Sequence, residues 1–397
     1  MSAPPPAAAV VGVALTAQGE LPGRTTTSLY VEAVLGALAD AGLTPRDVDG
    51  LIGVGPGTQG IWNPHGAFAD LFGVPLRFYA EAKVGASSPG AGLALAAAAI
   101  RDGRASVVVV PTAAGAPDVL PARVATPDRN EGNARLAMFG GTAFEYIWGN
   151  SRIADYALIA RRHMHEYGTT SEQLAEVAVA ARRHATLTPE SVMGSRGLIT
   201  VQDVIASRMI ADPLHLLDCC LVNNGAGAYI VTSAERAHAL PHPPVYLLGS
   251  GENYPYSDRH RMRTLTRFDT HHSAAQALSQ AGVTHADIDL AGISDHFTIN
   301  VILELEDAGF CAKGEGGAFV EGGALQFGGR LPTNTDGGYL AHSHAGGCGV
   351  FTMIEMVTQL RHKAGERQVP NARLGLIRGT GGTMQASFTA VLGRETS

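Results

Sequence analysis

The sequence predicts an α/β protein made of two related halves, with a long insertion in the first. Three observations carry this: an internal repeat, short apolar β runs alternating with helical stretches, and a central segment that breaks the alternation. The repeat joins Ala37-Leu-Ala-Asp-Ala-Gly-Leu-Thr-Pro-Arg-Asp-Val-Asp49 to Ala277-Leu-Ser-Gln-Ala-Gly-Val-Thr-His-Ala-Asp-Ile-Asp289. The two align without a gap at an offset of 240, with seven identities in 13 positions. Each reads as a helix closed by a glycine, a polar turn and then a strand. The strands fall at Gly50–Val54 and Leu290–Ile293. Each half continues alike. In the first, a Gly/Ser turn leads into an Ala-rich helix from about Ser88 to Arg101, then a strand at Ser106–Pro111. In the second, Gly346-Gly-Cys-Gly349 leads into a helix from about Val350 to Arg361, then a strand at Leu374–Ile377. Apolar β runs between helices imply parallel-rich sheets covered on both faces.

The insertion spans roughly residues 115–225, within a first half of residues 1–240; the second half is 241–397. It holds a helix at Ser151–Tyr167 and another at about Ser171–Ala185, opened by Ser171-Glu-Gln-Leu, which resembles a cap. His163 and His165 fall on different faces of the first helix, a pattern expected of solvated side chains. Insertions of this size on a rigid scaffold usually cover a site.

Composition excludes several function classes. With 397 residues, 45 % of them hydrophobic and 16 % charged, the chain has material for a large core. A net charge of -7 without a Lys/Arg run argues against nucleic acid or an anionic membrane as main partner. No apolar stretch is long enough to span a bilayer; Ala91–Ile100 has about ten residues. Cys219, Cys220, Cys311 and Cys348 have no disulfide-framework or C-x-x-C spacing, which suits a reducing cytoplasm. The N-terminus lacks the basic region of a signal peptide. No P-loop occurs, and Gly379-Thr-Gly-Gly382 is not followed by a βαβ unit, so it is no dinucleotide fingerprint.

Several motifs resemble those of thiolases of the sterol carrier protein X type. Ser207-Arg-Met-Ile-Ala-Asp-Pro213 with Asp218–Ala228 resembles the end of their loop domain. Ser294-Asp-His-Phe297 sits where they have His-Asp-Cys-Phe. Leu303–Gly316 looks like the helix and turn that follow. Gly337-Gly-Tyr-Leu-Ala-His-Ser-His344 resembles their Gly-Gly-x-Leu-Ser-x-Gly-His. The resemblance covers nearly the whole chain in order. It implies a thiolase-like fold: two βαβαβαββ-type halves in five α-β-α-β-α layers, with an inserted loop domain. It also implies a homodimer formed through an edge strand.

The departures from that pattern concern chemistry. In Glu81-Ala-Lys-Val-Gly-Ala-Ser-Ser-Pro-Gly90 the family's nucleophilic cysteine position holds Ala86. The second family cysteine, a base, maps to Gly379. Without the sulfur, the acyl-cysteine route is closed. Ser87 and Ser88 are expected to cap the following helix rather than act as nucleophiles. By resemblance His344 stabilises a thioester oxyanion; alternatively it serves the loop. His296, at a strand end, either transfers protons or packs under the loop. Ser294 offers a hydroxyl to substrate. Tyr339 is a candidate general acid, or a buried phenol with a satisfied hydroxyl. Ala86, Ser87, Ser88, Gly346 and Gly381 are expected to line the substrate site. His342, His344 and His296 suggest a zinc triad, but no cysteine or carboxylate is clearly placed to complete it, so no metal is expected.

Thiolase-like proteins without the cysteine include aldolases that cleave a β-hydroxyacyl-CoA, often with a steroid-derived side chain. A carbon–carbon lyase working through a stabilised enolate is therefore the expected activity, with coenzyme A entering only as part of the substrate. Such aldolases resemble this chain but carry tyrosines at the positions of Ser294 and His344. They commonly work with a small OB-fold/zinc-ribbon protein, so a separate partner of that kind is implied. The alternatives are an acyltransferase using Ser87 or Ser88, and a non-catalytic acyl-CoA-binding subunit.

Overall fold

The computed structural model describes residues 6–54, 63–114, 151–255, 262–342 and 349–395. Its strands in chain order are β1 (Ala8–Leu15), β2 (Gly50–Val54), β3 (Phe78–Ala82), β4 (Val107–Ala114), β5 (Met209–Ala211), β6 (Leu214–His215), β7 (Gly225–Ser233), β8 (Val245–Asn253), β9 (Leu290–Ile293), β10 (Leu374–Gly381) and β11 (Ala386–Gly393). The principal helices are α1 (Thr26–Asp40), α2 (Pro64–Phe72), α3 (Ser88–Arg101), α4 (Arg152–Tyr167), α5 (Ser171–Ala185), α6 (His271–Ala281), α7 (Thr298–Ala308) and α8 (Val350–Leu360). The strands of the two halves lie in the order β3-β2-β4-β7-β1 and β8-β11-β10-β9, joined by a two-residue pairing of β1 with β8.

The halves repeat each other in physical detail. Thr44 and Asp47 form a capping box at the turn before β2, and Thr284 and Asp287 form the same box before β9. Asp49 then accepts the Ser106 and Val107 amides at the start of β4. Asp289 accepts the Arg373 and Leu374 amides at the start of β10. The alanine identities also have a cause. A Cβ on Gly12 of β1 would stand 2.2 Å from the Ala37 carbonyl, and one on Gly249 of β8 would stand 2.2 Å from that of Ala277. Each half thus presses a small-residue helix face onto a strand glycine. In the second half the counterpart of β3 shrinks to one parallel bridge, Ala291 to Thr333, beside β9.

Apolar clusters define the five layers expected from the family resemblance. α1 covers the outer face of the first sheet half with Leu29, Val34 and Leu38. α3 and α8 lie between the sheet halves, in a cluster joining Val108 and Val231 to Phe388 and Leu392. α6 and α7 cover the other outer face, together with α4 and α5 of the insertion. Among the described strands the β2–β3, β2–β4 and β9–β10 pairings are parallel and the others antiparallel, so the sheets are mixed rather than parallel-rich as expected, because β7 and β11 return alongside their neighbours.

Some local expectations change. The strand expected at Ser106–Pro111 runs from Val107 to Ala114, and that at Leu374–Ile377 continues to Gly381. The cap of α5 is Thr170, answered by Gln173, with Ser171 inside the helix. His163 is fully buried rather than solvated. Its Nδ1 meets the Thr169 hydroxyl at 2.8 Å and its Nε2 the Glu306 carboxylate at 3.1 Å. That pair ties the insertion to α7, a contact between segments 143 residues apart. Among the described residues no helix is long and apolar enough to cross a membrane.

Candidate active site

Three backbone segments meet at the N-terminus of α3. A Cβ on Gly349 would lie 2.7 Å from the Ala86 carbonyl oxygen; one on Gly379 would lie 3.0 Å from it. Gly85 takes a positive φ of 64°, and its Cβ would meet the Gly381 Cα at 2.7 Å. Side chains there would force the segments apart. The contact leaves a narrow cleft lined by Ala86, Ser87, Ser294, Tyr339, Arg378 and Gly379 among others.

The structure therefore brings together four of the residues expected at the site: Ala86, Ser87, Ser294 and Tyr339. Gly381 stands at the edge, where a Cβ would come 1.9 Å from the Val84 carbonyl, so it holds the segments together. Ser88 is buried at the first turn of α3. His344 and Gly346 lie outside the described residues.

Neither serine caps α3 in the expected way. The Ser87 hydroxyl donates to the Gly379 carbonyl at 2.7 Å. The Ser88 hydroxyl accepts the Val84 amide at 2.9 Å. Both close the loop onto itself and onto β10. Ser294 differs. Its Oγ accepts the Thr380 amide at 3.3 Å, which directs its own O–H elsewhere. Tyr339 packs edge-on to Phe351 and His296.

His296 does not line the cleft. It lies behind Tyr339, with ring centroids 6.0 Å apart, and its Nε2 faces away into a polar cluster. The Tyr156 hydroxyl is 3.3 Å from Nε2 and also reaches the Gly382 carbonyl at 3.2 Å. The Asn300 amide nitrogen is 3.1 Å from Nε2. Thr380 donates to Glu304 at 2.7 Å, and Arg378 approaches the same carboxylate at 3.7 Å. Arg378, fully buried, also donates to Ser273, Thr389 and the Thr270 carbonyl.

Of this cluster only His296 is singled out by the sequence; Tyr156, Asn300, Glu304 and Arg378 are not. His296, Asn300 and Glu304 recur every four positions, a spacing that places them along one side of a helical stretch. Tyr156 carried no such signal, because its partner is 140 residues away. Asp295 accepts the amides of Tyr339 and Leu340 at 2.8 and 3.3 Å, pinning that turn beside the cleft. Burial pushes its carboxyl up to about 7, against those two amides. His342 is buried, stacked on Phe351 and 3.4 Å from the Asp336 carboxylate, so it belongs to the loop's support.

Burial also pushes the Glu304 carboxyl up to about 8, although Arg378 and Thr380 pull the other way. Its folded pKa lies above its ordinary 4.5, so the folded state holds the proton more tightly. This contribution to stability is complete below that ordinary value and is lost as pH rises through about 8. Glu304→Gln, which stays neutral, is expected to flatten the fall in urea midpoint between pH 5 and pH 8. An unchanged slope would show that Glu304 is ionised throughout.

A family model for the thiolase C-terminal domain-like fold matches residues 251–394. An acetyl-CoA acetyltransferase of Methanothermobacter thermautotrophicus is 37% identical over 94% of this chain and 97% of its own. A steroid side-chain-cleaving aldolase of Thermomonospora curvata is 37% identical over 90% of this chain and 92% of its own. The solved structure of the Ltp2-ChsH2(DUF35) aldolase superposes with a TM-score of 0.86 at 34% identity, covering 99% of both chains. The chain belongs to the thiolase-like family. Its relatives there include aldolases, acetyltransferases and sterol carrier protein 2.

Proposed function

We propose that this protein is a cysteine-independent thiolase-like aldolase, cleaving the Cα–Cβ bond of a β-hydroxyacyl-CoA thioester. Overall identity does not choose between the two activities, since an acetyltransferase and an aldolase match at the same 37%. The observation that carries the choice is the tip of α3. Ala86 offers no nucleophile, and the hydroxyls of Ser87 and Ser88 are engaged by Gly379 and Val84. An acyl group has no side chain there to attach to.

The retro-aldol reaction needs no such attachment. A base takes the β-hydroxyl proton, the Cα–Cβ bond breaks, and its electron pair collects as an enolate on the thioester oxygen. An acid then protonates Cα, leaving an aldehyde or ketone and a shorter acyl-CoA. The N-terminus of α3, the Ser294 hydroxyl and His344 are the proposed donors to the enolate oxygen. Tyr339 is the proposed proton-transfer group at the cleft, and His296, behind it, is proposed to act through it. No further cofactor enters.

The assembly proposed is a homodimer formed along the β3 edge, which ends the sheet order and leaves its outer hydrogen-bonding side open among the described residues. The solved aldolase relative is a complex with a DUF35 protein, which supports a separate partner of that type for this chain. A cytoplasmic location suits four cysteines whose spacing forms no disulfide framework.

Incubation with a β-hydroxyacyl-CoA, with the partner present, should release a carbonyl compound and a shorter acyl-CoA. Intact mass should show no acyl adduct; a stable adduct on Ser87 or Ser88 would replace this reading by acyl transfer. Ala86→Cys should place a thiol at a helix N-terminus, where the dipole and amides lower its pKa. Iodoacetamide should modify it faster than Cys219 or Cys311, whose thiols burial pushes up to about 12. An inert cysteine at 86 would mean that the α3 tip does not open to substrate.

A further inference from the structure

A second cleft lies on the far side of the Tyr339–Leu340 turn. It has a volume of about 180 Å³ and is lined by apolar groups, including Met193, Ile199, Leu216, Leu217 and Leu340. It abuts the catalytic region: the Cys220 amide on its wall donates to the His296 carbonyl at 3.0 Å. Its one charged lining residue is Arg182, on α5, which is only 7% exposed.

Arg182 is an unusual cation for that setting. Its Nη1 donates to the Gly197 carbonyl at 3.3 Å. Among the described residues it forms no ion pair with a carboxylate. The charged neighbour that acts on it is Arg196, of like sign, and burial together with that repulsion pulls its pKa below the ordinary value. A largely buried guanidinium without a counter-ion is costly, and the cost is relieved when an anion docks.

We propose that this cleft is a second part of the substrate site, taking an apolar body whose anionic oxygen group pairs with Arg182. The proposal rests on the acyl-CoA reading for the ligand's class but not on the aldol step. Two parts of an acyl-CoA carry that chemistry: a phosphate of coenzyme A, or a carboxylate at the far end of the acyl group. The guanidinium presents several donors and suits either oxyanion.

Calorimetric titration of wild-type protein and Arg182→Gln separates the sources. The probes are coenzyme A, pantetheine, decanoyl-pantetheine and its ω-carboxylated analogue. Loss of one charge-assisted contact should weaken the sensitive probe roughly 10- to 100-fold. Weakened coenzyme A with unchanged pantetheine places a phosphate at Arg182. Weakened ω-carboxy thioester with unchanged coenzyme A and unchanged decanoyl-pantetheine places an acyl carboxylate there. Arg182→Lys should restore part of the lost affinity. Equal binding of all probes to both proteins overturns the proposal. So does equal weakening of all four, neutral pantetheine included, since the arginine would then only shape the cleft. A second readout is stability without ligand. Removing an uncompensated cation should leave the unfolding midpoint of Arg182→Gln equal to wild type or higher, and a clear drop would mean that Arg182 serves the fold. Binding that follows this pattern in a protein without lyase activity would keep the cleft assignment and discard the reaction.

Discussion

Replacing His344 with alanine is expected to lower turnover of a β-hydroxyacyl-CoA roughly 100-fold or more, the usual cost of about 2.7–4 kcal/mol for one oxyanion donor. The described residues nearest to it in the chain, His342 and Gly349, are fixed by packing. His342 is stacked on Phe351 and held by Asp336, and Gly349 is pressed against the Ala86 carbonyl. The family resemblance gives His344 the oxyanion role. The loss should appear in kcat rather than KM, because the enolate charge develops after binding. Thermal unfolding should stay at the wild-type midpoint. Activity within a few-fold of wild type would remove His344 from the reaction.

His296→Ala should reduce turnover by ~10²–10⁴, the range for loss of proton transfer. The structure gives this histidine a defined setting. The Asn300 amide nitrogen lies 3.1 Å from Nε2 and fixes the orientation of the ring. Tyr156 closes the same side. Asn300→Ala should therefore cost less than loss of the ring, roughly 5- to 10-fold, and should shift the pH–rate profile. A His296→Ala variant with wild-type turnover would leave the ring as packing between Tyr156 and Tyr339.

Much of the scaffold was legible in the chain. The repeat at 37–49 and 277–289 encodes a helix end, a capping turn and an aspartate clamp. The helix end and the capping turn use residues a few positions apart, so sequence displays them directly, whereas the clamps reach 57 to 85 positions along the chain. The α3 tip was legible through the family resemblance, which puts Ala86 at the cysteine position in the short loop before the Ala-rich helix. What escaped was set by long-range contact. His163 reads as a surface histidine until Glu306 is placed against it. The helical period alone does not show that two elements share a buried face. The serines at 87 and 88 look like caps because their spacing permits it. Their actual partners, the Gly379 carbonyl and the Val84 amide, depend on β10 arriving beside the loop.

The meeting of Gly85, Gly349, Gly379 and Gly381 around Ala86 has a consequence for how the chemistry of such a centre can change. The walls there are main chain, so the cavity is a mould cast by peptide planes. Its outline does not depend on which functional group stands at position 86. Exchanging a thiol for a methyl at that point alters the reagent and leaves the vessel intact. A new reaction then requires only that proton carriers around the rim be rearranged.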